Sequence, residues 1–524
     1  MIMLVSLRCL MNVLQRRCLH TWPNIRPVTS ALELASGALI NGPNPPTSAQ
    51  LIHLLESKAT QVFEELRDHA INGQAVFTNS ELSLKYIDVY GFDFDYTLVH
   101  YKQSVLRLIY GLAKNRLVEQ LNYPTCIREL SFDPSFAIRG LHCDIKRGYV
   151  MKVDAYNHIQ LTSVYRGHEP VSTEEVVAAY GGTHVPMTVM DSLSRSSTWK
   201  LTQFLDLFSI PETALFADLM QYMIDHGISF DPEYLFEDVQ NTVYNIHQSG
   251  EIHRIIARDP DTYLESQPVL RELLNRLQCS GKKLFIITNS PFWFVDKGMS
   301  HLLGSSDWRD LFDVVVTNAR KPSFYSDSHR PFRTLNSDLT SPSWQPITQL
   351  TKGGVYLQGN VSDFMSFTGW NGASVLYFGD HVFSDLADPI LQLGWKTGAI
   401  LPELEREIET SNSTTFKSQL ADLLSLESLL QRRQNYCDAD IEKLLESWKV
   451  KRDIKRKYLK EAHNVRFGSV FRTEKNPTYF SRRLATFSNL YTSSLNNLMN
   501  YSLDYTFIPR RAALPHEPDL NFDF

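Results

Sequence analysis

Two aspartates set two residues apart, Asp93 and Asp95, close an apolar run in Val89-Tyr-Gly-Phe-Asp-Phe-Asp-Tyr-Thr-Leu-Val-His100, and Thr97 follows them. The alternating β-branched and aromatic residues up to Phe94 predict a strand, so both carboxylates fall at its carboxyl end, where open α/β sheets bind ligands. A carboxylate held there can act as a nucleophile, and a second acid beside it can move a proton. On its own an Asp-x-Asp after a strand more often marks a solvated turn or a Ca²⁺-type loop. Three downstream segments change that balance. Leu284-Phe-Ile-Ile-Thr-Asn-Ser290 is a short apolar run ending in Thr288 and Asn289, whose polar side chains suit a phosphoryl oxygen. Asp313-Val-Val-Val-Thr-Asn-Ala-Arg-Lys-Pro322 delivers Lys321, a cation able to neutralise carboxylate and phosphate together. Val375-Leu-Tyr-Phe-Gly-Asp-His-Val-Phe-Ser-Asp385 delivers Asp380 and Asp385, oxygen donors of the kind a hard divalent cation prefers. Each segment reads separately as strand plus polar turn; four in this order point to phosphoryl transfer.

The elements that must position these residues follow from the rest of the chain. The expected fold class is α/β: a doubly wound, largely parallel sheet. The stretch from Thr97 to Thr288 is far longer than one crossover needs, so an inserted cap domain is expected within it. Gly148-Tyr-Val-Met-Lys-Val-Asp154 has strand character, and Thr198 to His226 reads as a helical block with Pro211 in a first turn. Ser48 to Leu66 has amphipathic helical spacing after the breaker Asn41-Gly-Pro-Asn-Pro-Pro46. Ser323 to Gly354 is a Ser/Pro/Asp-rich excursion, and beyond Pro402 the pattern turns helical. The expected division is a leader at 1–32, N-terminal helices and the first part of the core at 33–125, the cap at 126–250, the rest of the core at 251–410, and a helical C-terminal extension at 411–524.

Composition bounds the function classes. The chain has 524 residues, 43% hydrophobic and 11% aromatic, ample for a packed core of two or three domains. A net charge of −6 argues against a general nucleic-acid surface. The cationic run between Trp448 and Lys460 reads as the solvated face of a helix rather than as a nucleic-acid or membrane patch. No apolar run reaches the roughly 18 residues of a spanning helix. The six cysteines are scattered, without C-x-x-C or zinc spacing, which fits a reducing compartment. The first 32 residues carry Arg8, Arg16, Arg17 and Arg26 and no acid, and Leu4, Leu7, Met11, Leu14 and Cys18 recur at helical spacing. A mitochondrial transit peptide is expected. A secretory signal fits less well, because Arg8 interrupts the apolar run, and a tail of chance composition is the bland alternative.

The opening motif, a carboxylate, a second acid two residues on and a hydroxyl at position four, resembles that of the haloacid dehalogenase (HAD) superfamily. Within it, Gly91-Phe-Asp-Phe-Asp-Tyr-Thr-Leu98, Phe132-Asp-Pro-Ser-Phe-Ala-Ile-Arg-Gly-Leu141, Ala319-Arg-Lys-Pro322 and Gly379-Asp-His-Val-Phe-Ser-Asp385 are similar to the cytosolic purine 5′-nucleotidase family and its relatives, the 5′-nucleotidase domain-containing proteins. Gly394-Trp-Lys-Thr-Gly-Ala-Ile-Leu-Pro-Glu403, Phe467-Gly-Ser-Val-Phe-Arg472 and Leu514-Pro-His-Glu517 match as well, so the likeness runs over most of the chain. The resemblance implies an Mg²⁺-dependent phosphomonoesterase with an inserted cap. It implies Asp93 as nucleophile and Asp95 as general acid/base. Thr288, Asn289 and Lys321 would hold phosphate. Asp380 would ligate Mg²⁺ with Asp93 and the Asp95 carbonyl, and Asp385 would orient that set. A dehalogenase would not need Asp95, and a P-type pump would carry threonine there. The implied partner is a small phosphate ester such as a nucleotide, and the resemblance is compatible with a homo-oligomer. In the cap, Tyr234 stands where purine nucleotidases place a base-reading arginine and Leu205 where they place an asparagine, while Asp238 and the aromatic Phe208 persist. Phe208 reads at least as well as a helix core residue. These departures put purine specificity in doubt and leave a second reading, a HAD-fold binding or scaffold protein with little turnover.

Overall fold

The structure, a computed structural model, describes residues 47–190, 200–336, 341–433 and 439–511. The transit-peptide expectation for residues 1–32 lies outside them. Two compact units result. One comprises Gln74–Leu404 with Val470–Pro509; the other is formed by the described residues up to Gly73 together with Glu405–Ser469.

The larger unit is built on a nine-stranded sheet in the order Phe77–Thr78, Leu490–Thr492, Lys396–Ile400, Val375–Gly379, Val89–Phe92, Lys283–Ile287, Val314–Thr317, Gly354–Gln358 and Phe332–Thr334. All neighbouring pairs are parallel except the two edge strands, Phe77–Thr78 and Phe332–Thr334. Helices cover both faces of such a sheet, which explains why its central strands are continuously apolar and buried rather than alternating. After the edge strand Phe77–Thr78 the chain enters the central strand Val89–Phe92, winds outward through Lys283–Ile287 to Gly354–Gln358, then returns to the other side through Val375–Gly379 and Lys396–Ile400. The winding direction therefore reverses between Val89–Phe92 and Val375–Gly379. Their C-terminal loops diverge there and open a crevice, the switch point at which such sheets bind ligands.

Close packing makes that central region rigid. A Cβ on Gly91 would lie 2.2 Å from Phe285 Cζ and 2.7 Å from Tyr377 Cδ2, so only glycine lets the two flanking rings close over the strand. Phe285, Phe364, Tyr377 and Trp395 are fully buried in the same cluster. Each large ring of this kind contributes about 2–3 kcal/mol by leaving water.

Between Phe92 and Lys283 the chain forms a separate five-stranded antiparallel sheet in the order Glu169–Pro170, Ile159–Arg166, Tyr149–Val153, Leu141–Asp144 and Leu201–Phe204. Helices Gln103–Leu121, Ser209–Asp225 and Pro232–Gln248 accompany it. The last opens with Asp231, whose side chain accepts from Glu233 N, and with Pro232 in the first turn, a standard start for a helix.

The smaller unit is helical. Ser48–Asp68 starts at a capping box in which Thr47 and Gln50 exchange hydrogen bonds. It packs on Thr414–Arg433 and Ala439–His463 through Leu51, Leu426, Leu429, Ile441, Leu445 and Trp448. The cations expected on a solvated face are in good part paired: Lys455 Nζ lies 2.6 Å from Asp422, Lys449 Nζ 2.9 Å from Glu446, and Arg456 bonds Glu427. The expected helical extension over 411–524 is corrected in its last part. Leu490–Thr492 is a strand of the main sheet, and Val470–Pro509 belongs to the larger unit. A three-residue strand beside the helix Tyr479–Phe487 leaves too short a pattern to read. Among the described residues no helix is long and apolar enough to cross a membrane.

Candidate active site

The crevice at the switch point is a cleft of about 730 Å³. Four strand ends supply its polar residues. Asp93 and Asp95 follow Val89–Phe92, Asn289 and Ser290 follow Lys283–Ile287, Lys321 follows Val314–Thr317, and Asp380 and Asp385 follow Val375–Gly379; all line it. The turn after the first strand is tight: Tyr96 sits at φ 50°, held by its ring contacts with Tyr101 and Phe208 at centroid distances of 5.0 and 4.9 Å. Such a conformation persists in a non-glycine residue only where packing imposes it.

Lys321 is the electrostatic centre. Its Nζ lies 2.8 Å from Asp93 Oδ1 and 2.5 Å from Asp385 Oδ1, and it donates to the Tyr377 hydroxyl at 3.2 Å. Asn289 is spent on holding it: its Nδ2 donates to the Lys321 carbonyl at 3.1 Å and its Oδ1 accepts from the Lys321 amide at 2.6 Å. Asn289 is thus a brace for the lysine backbone as much as a candidate phosphate ligand. Burial acts to depress the Lys321 ammonium, but Asp385 and Asp93 outweigh it and push its pKa upward, so the lysine stays charged. Burial raises the Asp93 carboxyl, with Lys321 opposing the shift. Asp380 is pushed well above the ordinary carboxylate range by burial and by Asp385, with Arg139 opposing. Burial is the largest cause of the rise at both carboxyls, and the neighbouring acids add to it beyond what Lys321 and Arg139 offset.

Asp93, Asp380 and Asp385 are all buried and offer oxygens within 4.8 Å of one another. Hard carboxylate oxygens of this kind fit a divalent cation. The three are not equivalent. Asp385 is engaged at both oxygens, Oδ1 by Lys321 and Oδ2 by the His381 amide at 3.2 Å. Asp93 is engaged at Oδ1 by the Lys321 ammonium, and Arg139 stands 3.9 Å from Asp380 Oδ2. Asp93 and Asp380 are therefore the carboxylates with coordination capacity to spare, and Asp385 is an orienting group. Asp95 stands apart from this cluster. Its Oδ1 accepts from the Tyr101 hydroxyl at 2.5 Å and its Oδ2 from Ser290 Oγ at 2.6 Å.

Three sequence-derived site residues, Thr288, Tyr234 and Asp238, are placed differently from expectation, while Phe208 lines the cleft. Thr288 is fully buried and is not among the cleft-lining residues; its Oγ1 accepts from the Ser290 amide at 3.1 Å, so it shapes the turn that presents Ser290. Tyr234 and Asp238 do not line the cleft either. Tyr234 is 70% exposed, and Asp238 accepts from the Tyr123 hydroxyl at 2.8 Å. The helix Pro232–Gln248 meets the cleft at its other end, through His247 and Gln248. At 1.5 Å per residue that end is roughly 20 Å along the axis from Tyr234. Leu205 is buried, while its neighbour Asp206 reaches the cleft. Phe208 does line the cleft, yet its ring is already flanked by Tyr96, Tyr101 and His247 at 4.9, 5.7 and 5.5 Å.

Tyr101, Ser290, Tyr377 and Arg139 were not anticipated. Ser290 was within reach of sequence reasoning, since it stands two residues beyond Thr288. Tyr101 and Tyr377 carry no local signature and are recruited by the fold.

Comparison with known proteins places the chain. The sequence profile of the 5′ nucleotidase family matches residues 76–519. The 5′-nucleotidase domain-containing protein 2 of Rattus norvegicus is 46% identical over 454 residues, 86% of this chain and 82% of that protein. Its Homo sapiens counterpart is also 46% identical over 454 residues, covering 86% of this chain and 87% of its own length. A 5′-nucleotidase domain-containing protein of Dictyostelium discoideum is 40% identical over 478 residues, 90% of this chain and 79% of its own. With a family match across most of its length and relatives at this identity, the chain belongs to the 5′-nucleotidase family.

Proposed function

We propose that the protein is an Mg²⁺-dependent phosphomonoesterase that works through an aspartyl-phosphate on Asp93. The observation that carries the reading is the packing of Asp93, Asp380 and Asp385 around Lys321 at the switch point, with Asp95 braced separately beside them. Asp93 would attack phosphorus while the ester P–O bond breaks, and Asp95 in its protonated form would give its proton to the departing oxygen. Asp95 would then take a proton from water, whose oxygen attacks the same phosphorus and displaces the Asp93 carboxylate. Free phosphate leaves, and both aspartates return to their starting states.

The remaining residues have supporting roles. Lys321, held by Asn289, would offset charge on Asp93 and on the phosphoryl oxygens. Tyr101 and Ser290 fix both oxygens of Asp95, which limits its swing between leaving group and water. Asp93 and Asp380 would hold Mg²⁺, and a bound Mg²⁺ would neutralise the anionic substrate against the carboxylate that attacks it. Nucleotides are the first substrates to try, because the relatives carry the 5′-nucleotidase name. The outer wall of the cleft, with Asp206, Phe208, His247, His253 and Trp293, would meet the leaving group. The alternative, a binding protein of the same fold, becomes the conclusion if turnover is absent.

The test is hydrolysis of a chromogenic phosphate ester by the wild type and Asp93→Asn, with Mg²⁺ and with chelator, alongside trapping of hydroxylamine-sensitive phosphoenzyme. Wild-type turnover that needs Mg²⁺, lost by orders of magnitude in Asp93→Asn together with the trapped species, supports the reading. Residual activity of Asp93→Asn equal to wild type, after contaminating phosphatase is excluded, would sink it.

A further inference from the structure

Arg139 has no part in the chemistry above, yet it is the one arginine buried against the acidic cluster among the described residues that line or border it. Its side chain is fully buried at the start of the inserted five-stranded sheet, one residue before Gly140 and the strand Leu141–Asp144. It reaches from there to two loops of the main sheet. Nε donates to Glu403 Oε1 at 2.7 Å, and Nη2 lies 2.5 Å from the same oxygen. Nη1 donates to the backbone carbonyl of Asp380 at 3.0 Å and stands 3.9 Å from the Asp380 carboxylate. The guanidinium lies over the Phe480 ring at 5.1 Å. A Cβ on Gly140, whose φ is +88°, would come 2.7 Å from Phe480 Cβ, so the whole corner is closely packed.

The Asp380 carbonyl is half of a peptide unit whose other half is the His381 amide. That amide donates to Asp385 Oδ2 at 3.2 Å, and Asp385 Oδ1 is the oxygen that holds Lys321 at 2.5 Å. A peptide unit is planar, so fixing its carbonyl fixes the direction of its N–H. Arg139 therefore bears on both acids through one rigid group: it sets the backbone from which the Asp380 side chain springs, and it aims the donor that orients Asp385. Glu403, which follows the strand Lys396–Ile400, supplies the opposite charge that keeps a buried guanidinium in place. The turn has little freedom to compensate, since a Cβ on Gly379 would lie 2.3 Å from Asp385 Cβ.

From this geometry we infer that Arg139, anchored by Glu403, is a positioning residue for the divalent-cation site: it locks the Asp380–His381 peptide and couples the inserted sheet to the metal-binding acids. The inference rests on the function proposed above and adds a residue pair to it. Groups that orient metal ligands change metal affinity by about 10–100-fold when removed.

The test uses the full chain and reads Mg²⁺ binding by titration calorimetry without substrate, with melting and circular dichroism as controls. Arg139→Gln and Glu403→Gln should weaken Mg²⁺ binding roughly tenfold or more. Arg139→Lys keeps the charge but has one nitrogen, which cannot bond Glu403 and the Asp380 carbonyl in the same fork geometry. It should fall between wild type and Arg139→Gln. With a chromogenic ester, the Mg²⁺ concentration for half-maximal rate should rise in the same order while the KM for ester at saturating Mg²⁺ changes little. Folded variants that bind Mg²⁺ within twofold of wild type would overturn the inference and leave the proposed function standing. A wild type that binds no Mg²⁺ would overturn both. Variants that all fail to fold, Arg139→Lys and Glu403→Gln included, would overturn the positioning role in favour of a purely structural one.

Discussion

Replacing Lys321 with methionine keeps an unbranched chain one atom shorter and removes its charge. Around it Asp93, Asp380 and Asp385 remain, buried and within 4.8 Å of one another, and two of them lose a cation at 2.8 and 2.5 Å. Removing one partner of a buried ion pair costs about 3–5 kcal/mol, most of it the burden of the unpaired charge left behind. At about 2 °C per kcal/mol for a unit this large, metal-free Lys321→Met should melt roughly 6–10 °C below wild type. Proton uptake by Asp93 and Asp380, whose carboxyls burial already pushes upward, would blunt the loss, so the comparison belongs at pH 8 in chelator. Mg²⁺ then discriminates between explanations. A ligand at 100 times its Kd stabilises by about 2.7 kcal/mol, and a site with one fewer cation binds a divalent cation more tightly. Mg²⁺ should therefore raise the melting temperature of Lys321→Met by more than it raises that of wild type, while turnover stays lost. An equal Mg²⁺ shift in the two proteins, or a chelated variant that melts with wild type, would refute the charge balance argued for this site.

Two further outcomes are expected. His142 is fully buried with neither ring nitrogen hydrogen-bonded, and its pKa is pushed down to about 3 by burial, with Arg483 and Arg482 adding to the shift. Below pH 6.5 the unfolded chain takes up a proton that the folded chain refuses, so stability falls as pH drops from 6.5 toward 3, by about 1.4 kcal/mol per pH unit at most. Denaturant unfolding at pH 6.5 and pH 5 should show His142→Leu losing about 1.6 kcal/mol less than wild type over that interval; identical losses would remove His142 as the source. The Arg-rich, acid-free stretch 1–32 is proposed to direct mitochondrial import, so a reporter fused to residues 1–40 should colocalise with mitochondria, and a diffuse cytosolic signal would contradict it.

How much of the site was legible depends on how local each residue's reason is. Asp93, Asp95, Lys321, Asp380 and Asp385 stand just past short apolar runs, and in a parallel sheet those runs must end on the same side. One-dimensional spacing was then enough to bring them to one crevice. Tyr101 and Tyr377 reach the cluster, and Glu403 reaches Arg139, through tertiary packing that no spacing announces. Thr288 illustrates the opposite limit: its position at the strand end was read correctly, but its hydroxyl faces the Ser290 amide rather than the cleft. Tyr234 failed for a geometric reason, because matching residues around Asp238 says nothing about which end of a helix meets a pocket.

The same distinction bears on what the site can accept. Asp93, Asp95, Asp380 and Asp385 line one cleft, and Lys321 is the cation in direct contact with two of them. Arg139 faces the cluster from behind but is matched by Glu403, so it adds geometry more than net charge. A phosphate monoester brings up to two further negative charges to the face where a carboxylate would attack. Like charges brought within about 4 Å of one another cost several kcal/mol even at the effective dielectric of a protein surface. Lys321 alone cannot offset that, since its charge is already shared between Asp93 and Asp385. An arrangement of this kind makes chemical sense if a divalent cation joins the substrate on Asp93 and Asp380. The uncompensated charge of the cluster thus supports the metal-dependent reading more directly than any single residue match: burial raises the carboxyls of Asp93 and Asp380, the neighbouring acids add to the rise, and Lys321 and Arg139 oppose it only in part.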